Sequence, residues 1–64
     1  MAQKILQFFN YTHLSTTLQA VSKPFADLAA QMGIDLPENE EKIICLHRLL
    51  EAKDCAIRAA LYRE

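Results

Sequence analysis

Five side chains in this sequence have the chemistry to hold a phosphorylated ligand: Tyr11, Lys23, Phe25, Lys53 and Arg58. Aromatic faces stack on nucleobases, a lysine neutralises a phosphate as a point charge, and an arginine fork contacts it in bidentate fashion. Each of the five also has an ordinary structural reading. Phe25 suits a core position and Lys23 a solvated helix face. Arg58 stands four residues after Asp54 and suits a surface ion pair. Lys53 is the least ordinary, because Ile43, Leu46, Leu50, Lys53, Ile57 and Ala60 recur at spacings of three and four. The other five members of that stripe are apolar, as a packed helix face requires. A lysine in such a seam costs stability unless its stem lies on apolar surface and its ammonium reaches water or an anion.

No catalytic constellation accompanies these residues. There is no glycine-rich phosphate loop and no pair of carboxylates in an apolar setting. Cys45 and His47 are two positions apart, so on a helix they face different directions. Zinc needs about four converging ligands, and these two do not begin such a set. Cys45 and Cys55 fall on one predicted helix, about 15 Å apart along its axis. A disulfide tolerates Cα atoms only up to about 7 Å apart, so the two cannot pair within one chain. They read as reduced, helix-packed cysteines of a cytosolic protein, with an intermolecular disulfide as the alternative. The sequence thus points to a binding or structural protein, with no enzyme activity, metal or cofactor expected.

The elements that would position the candidate residues are helices, and the fold expected is all-α: an antiparallel helical hairpin with a short aromatic N-terminal arm, oligomerising through helix faces. A single domain covers residues 1–64. Residues 1–14 form the arm, with Phe8, Phe9, Tyr11 and His13; it reads as a short helix or an extended segment, capping the end of the hairpin core. Ser15 is the expected N-cap of helix one, about 15–32, where Leu18, Val21, Phe25, Leu28 and Met32 trace an apolar stripe. Pro24 interrupts that stripe, which predicts either a kink or a restart with Ser22 as a second N-cap. Gly33 suits the C-terminal end of this helix, where a left-handed backbone is common. A loop at 33–38 leads to helix two, about 39–62, capped by Asn39 with Glu40 and Glu41 in its first turn. Alanines at 52, 56, 59 and 60 allow close approach of a neighbouring helix.

Size and charge narrow the class of partner. A 64-residue chain buries only about 60% of the surface its unfolded form exposes. This one is 52% hydrophobic with a single glycine. One hairpin cannot hide that much apolar surface within itself, so a homo-oligomer is expected. Seven Lys and Arg against eight Asp and Glu leave a net charge of −1. Nonspecific duplex binding draws its affinity from neutralising many phosphates, so this balance argues against a duplex nucleic-acid partner. It leaves room for a compact anion held by a few converging cations. No stretch approaches the roughly 18 apolar residues of a membrane span, and the N-terminal run is too short for a signal peptide. A cytoplasmic location is expected.

Three segments carry a resemblance to a known family. The run Leu18-Gln19-Ala20-Val21-Ser22-Lys23-Pro24-Phe25-Ala26-Asp27-Leu28-Ala29, then Leu36-Pro37, then Leu49-Leu50-Glu51-Ala52-Lys53-Asp54-Cys55-Ala56-Ile57-Arg58-Ala59, resembles the helical-hairpin domain of phage anti-CBASS sponges, shared with some anti-Thoeris sponges. The likeness covers about residues 11–60. It implies a protein that binds cyclic oligonucleotide messengers in the host bacterial cell, keeps them from their effectors and turns nothing over. It further implies oligomers, hexamers in several members, with cyclic dinucleotides held between protomers and cyclic trinucleotides in separate pockets in some. By similarity, Tyr11 and Lys23 fall at the dinucleotide pocket and Arg58 takes a phosphate-binding role. Lys53 is added on its place in the apolar seam. The chain is short beside some members, so a trinucleotide pocket is not implied with the same force. Two rival functions remain open: a ligand-free oligomerisation or protein-interaction module, and a small nucleic-acid-binding regulator, which the charge disfavours.

Overall fold

The computed structural model describes residues 5–62. Residues 1–4 of the expected arm lie outside them. A 3₁₀ turn at Gln7–Phe9 is followed by helix α1, Thr16–Asp35, and helix α2, Glu40–Leu61. The two long helices pack against each other as a hairpin, and no strand occurs among the described residues. The molecule is a rod of 40 × 18 × 16 Å.

Both helix starts follow from the capping residues. Ser15 is extended, and its hydroxyl accepts a hydrogen bond from the Leu18 amide at 3.4 Å. Asn39 does the same for the Lys42 amide at 2.9 Å, with Glu40 and Glu41 in the first turn. Each satisfies an amide that has no partner inside its helix, and the two glutamates match the positive pole.

Helix α1 runs through Pro24 without restarting, so Ser22 is not a second N-cap. Proline removes only the hydrogen bond to the carbonyl four residues back, that of Ala20. Ala20 and Pro24 are both on the exposed side, where water can serve the freed carbonyl. Ser22 is instead fully buried, and its hydroxyl oxygen has no hydrogen-bond partner.

The end of α1 also departs from expectation. Gly33 is inside the helix, which continues to Asp35 and closes with the Leu36 amide donating to the Met32 carbonyl at 3.1 Å. No described residue has a positive φ. The expected left-handed cap is replaced by Lys42, whose ammonium donates to the Gly33 carbonyl at 2.8 Å and the Leu36 carbonyl at 3.1 Å. Helix-end carbonyls need a partner of some kind, and a cation there also matches the negative pole. Gly33 serves a different purpose: a Cβ at this position would meet Leu6 Cδ1 at 3.3 Å. The movable end of the Leu6 side chain of the arm lies against this position.

The bond between Lys42 and Gly33 sets the register of the hairpin. Four residues back along α1 and four on along α2 come Ala29 and Leu46, both fully buried in one core cluster. Phe25 and Ala26 of α1 and Leu49 and Leu50 of α2 pack around that cluster. Ile5 and Phe9 of the arm complete the core. The arm therefore lies along the hairpin and contacts both helices rather than sitting only at one end. Burying one large apolar side chain is worth about 1.5–3 kcal/mol, so Phe9 alone contributes a sizeable part of the stability of so small a core.

Candidate functional site

Helix α1 presents Lys23 to solvent on the side opposite Phe25, since two residues on a helix differ by about 200°. Its ammonium pairs with Asp27 one turn on, at 2.7 Å. The Lys23 pKa is raised above the ordinary lysine value, first by this hydrogen bond and next by the Asp27 charge. Tyr11 is half-buried. It belongs to the segment after the 3₁₀ turn, and that segment is fixed to α1. Gln19 donates through Nε2 to the Leu14 carbonyl at 2.8 Å and the Thr12 carbonyl at 3.4 Å. Asn10 Oδ1 accepts from the Thr12 amide at 3.1 Å and hydroxyl at 3.0 Å, forming an Asx turn. The arm is thus tied to α1 at Gln19, one turn before Lys23 on the same helix face.

The other three candidates are placed elsewhere. Phe25 is half-buried and packs on the core cluster, so its ring serves the hairpin. Lys53 occupies the seam with its side chain only 12% exposed, and its ammonium finds an anion in Asp54 at 3.0 Å. Stem buried and charge paired is how a seam lysine is tolerated. Arg58 is exposed and donates through Nη2 to Cys55 Sγ at 3.2 Å. The expected Arg58–Asp54 pair does not form: Asp54 pairs with Lys53, and Arg58 turns to Cys55. Lys53 and Arg58 are five positions apart on α2, about 140° around its axis, so one chain cannot aim both at one ligand. Among the described residues, no hydrogen bond or ion pair joins any two of the five candidates.

Sequence reasoning passed over Lys42, the most buried charge among the described residues. It is 3% exposed and also pairs with Glu38 at 2.7 Å. That hydrogen bond, and the charge behind it, hold the Glu38 carboxyl below the usual carboxylate range. A lysine three positions after an N-cap gives little sequence signal of its own; the spacing to Glu38, four before it, was the available clue. An open concavity of about 290 Å³ beside it is lined by Leu36, Pro37, Asn39, Glu41, Lys42 and Cys45. The one cation there already has three partners, which leaves it nothing to offer an anion. Cys45 and Cys55 are both free thiols. Among the described residues no three His, Cys, Asp or Glu side chains gather as a metal site, and no helix is long and apolar enough to cross a membrane.

The fold and this site define an all-α hairpin with a strapped-on aromatic arm and an exposed Lys23–Asp27 ion pair. No protein-family model, curated protein or solved structure matches the chain.

Proposed function

We propose that this protein is a non-enzymatic sponge that binds cyclic oligonucleotide messengers, cyclic dinucleotides first and cyclic trinucleotides second, in the cytoplasm of a bacterial host and so blocks anti-phage signalling. What supports the reading is the likeness of the segments around Lys23 and Lys53 to the sponge family, together with the tie of the Tyr11 arm to α1 at Gln19, one turn before the exposed Lys23. In this reading Lys53 and Arg58 reach ligand only where another protomer adds its own residues, so the pockets lie between subunits. Exposed apolar side chains give such an assembly its material: Leu28 on α1, and Ile44, Leu61 and Tyr62 toward the two ends of α2. Ala52, Cys55 and Ala59 are exposed between them, and their small size suits close helix contact.

Calorimetry with cyclic di- and trinucleotides tests the proposal. Micromolar or tighter binding is expected, with Lys23→Ala and Tyr11→Ala each weakening it about tenfold or more while leaving the circular dichroism spectrum unchanged. No binding of any panel member at hundreds of micromolar would sink it. Light scattering should show an oligomer, and a stable 7.3 kDa monomer would contradict the assembly. The second reading, a ligand-free interaction module, is favoured by the intramolecular carboxylate partners of Lys23 and Lys53. It gains if the cation variants behave as ordinary surface changes.

A further inference from the structure

Among the described residues, Ser22 alone carries a buried side-chain oxygen or nitrogen with no hydrogen-bond partner. A hydroxyl left in this way destabilises the state that buries it. Two positions on, Pro24 withholds one of the backbone bonds that would tie the two halves of α1 together. The half before Ser22 is also weakly held. On the far side, Ala29 is fully buried, and Phe25, Ala26 and Met32 pack on the core. No residue of 16–21 is buried or packs on that cluster. Thr16, Thr17 and Val21 are β-branched, which lowers their helix propensity. We propose that residues 10–21 form a flap that opens about a hinge at Ser22 while the rest of the hairpin stays folded.

In the open form Ser22 becomes the N-cap of a shortened α1. Its backbone turns extended, its hydroxyl leaves the core, and it accepts a hydrogen bond from the Phe25 amide three residues on. Pro24 then stands in the first turn, where no donor is needed. The hydroxyl that has no partner in the closed form gains one on opening, which narrows the gap between the two forms. The other end of the flap is anchored by Phe9, only 3% exposed, and Asn10 is extended where the chain leaves the 3₁₀ turn. Gln19 bonds to the Thr12 and Leu14 carbonyls, so the loop and the first turns of α1 move as one piece and carry Tyr11 with them. Helix α1 starts at the end of the hairpin where α2 finishes, so the flap regulates access to that end. The device does not depend on the cyclic-nucleotide reading.

The test is amide hydrogen exchange on the full chain, comparing the amides of residues 19–23, which bond to carbonyls of the flap, with those of residues 29–32 in the core. In wild type the first set should exchange at least about tenfold faster, with a step in protection between Lys23 and Ala26 rather than a gradual rise from Ser15. Ser22→Ala removes the unpartnered hydroxyl and should slow both sets. It also deprives the open form of its cap, so the first set should slow by about fivefold more than the second. Ser22→Gly retains most of the capping preference, so the ratio between the two sets should stay within about twofold of wild type. Equal protection of the two sets in wild type overturns the inference, and so does a smooth gradient from Ser15. A ratio that Ser22→Ala leaves unchanged overturns it as well, because the hydroxyl would then act on the whole fold and not on a hinge.

Discussion

Replacing Lys42 with methionine tests whether one buried ammonium closes the hairpin. Methionine keeps most of the apolar stem and removes the charge, so packing is little disturbed. Three interactions are lost: those to the Gly33 carbonyl, the Leu36 carbonyl and Glu38. Glu38 is exposed and can turn to water, so its share is small. The two carbonyls belong to half-buried residues at the end of α1. A buried acceptor stranded without a partner costs about 1–3 kcal/mol. Partial access of water to this helix end brings the expected loss to about 2–4 kcal/mol for the pair. Removing a buried charge relieves its desolvation, and in some proteins that makes such a swap neutral. Here methionine cannot satisfy the carbonyls it leaves behind, so the loss should prevail. A chain of this length has only about 3–10 kcal/mol in total. The midpoint of thermal unfolding should then fall by about 10–25 °C. Circular dichroism at 222 nm, repeated at several protein concentrations to separate folding from association, measures it. A loss of less than about 1 kcal/mol would refute the argument that Lys42 caps α1.

Two further outcomes follow from the same corner of the molecule. The Lys42 hydrogen bond lowers the folded pKa of Glu38 below its unfolded value, so the pair adds stability above the usual carboxylate pKa and loses it as pH falls through the folded value. Glu38→Gln should therefore be less stable than wild type at pH 7, with the gap closing below about pH 4 in urea titrations; a gap independent of pH would contradict the linkage. Gly33→Ala should stabilise the chain by about 0.5 kcal/mol, since a helix interior favours alanine and the atom met at 3.3 Å is the movable end of the Leu6 side chain. A destabilised variant would mean that Leu6 cannot give way and that the arm is more rigidly seated than its half-buried side chain suggests.

Much of the architecture could be read locally. Ser15, Asn39, Glu40 and Glu41 announce helix starts because capping depends on residues only two or three positions away, and the three-and-four spacing of Ile43, Leu46 and Leu50 announces a packed face. The seam position of Lys53 was legible for the same reason, and so was the need for an anion to meet its charge. What the sequence could not convey was the competition between partners. Gly33 looked like a helix terminator until Lys42, nine residues on, took over the carbonyls, and Asp54 had two cations within reach of which Lys53 is the one it holds. Pro24 suggested a break, but its cost depends on whether the freed carbonyl faces water or core, which is a property of the packed hairpin.

The candidate site divides along the same line. Residue types alone supplied Tyr11, Lys23, Phe25, Lys53 and Arg58, since stacking and phosphate neutralisation are properties of single side chains. Tertiary structure decided where each of them stands: the arm is tied to α1 at Gln19, the core takes Phe25, and helix geometry turns Lys53 and Arg58 apart. Local hydrogen bonding and periodicity act within a few residues of the chain and are written in its order. Convergence of side chains depends on how whole helices dock, where burial and charge pairing at distant positions are settled together.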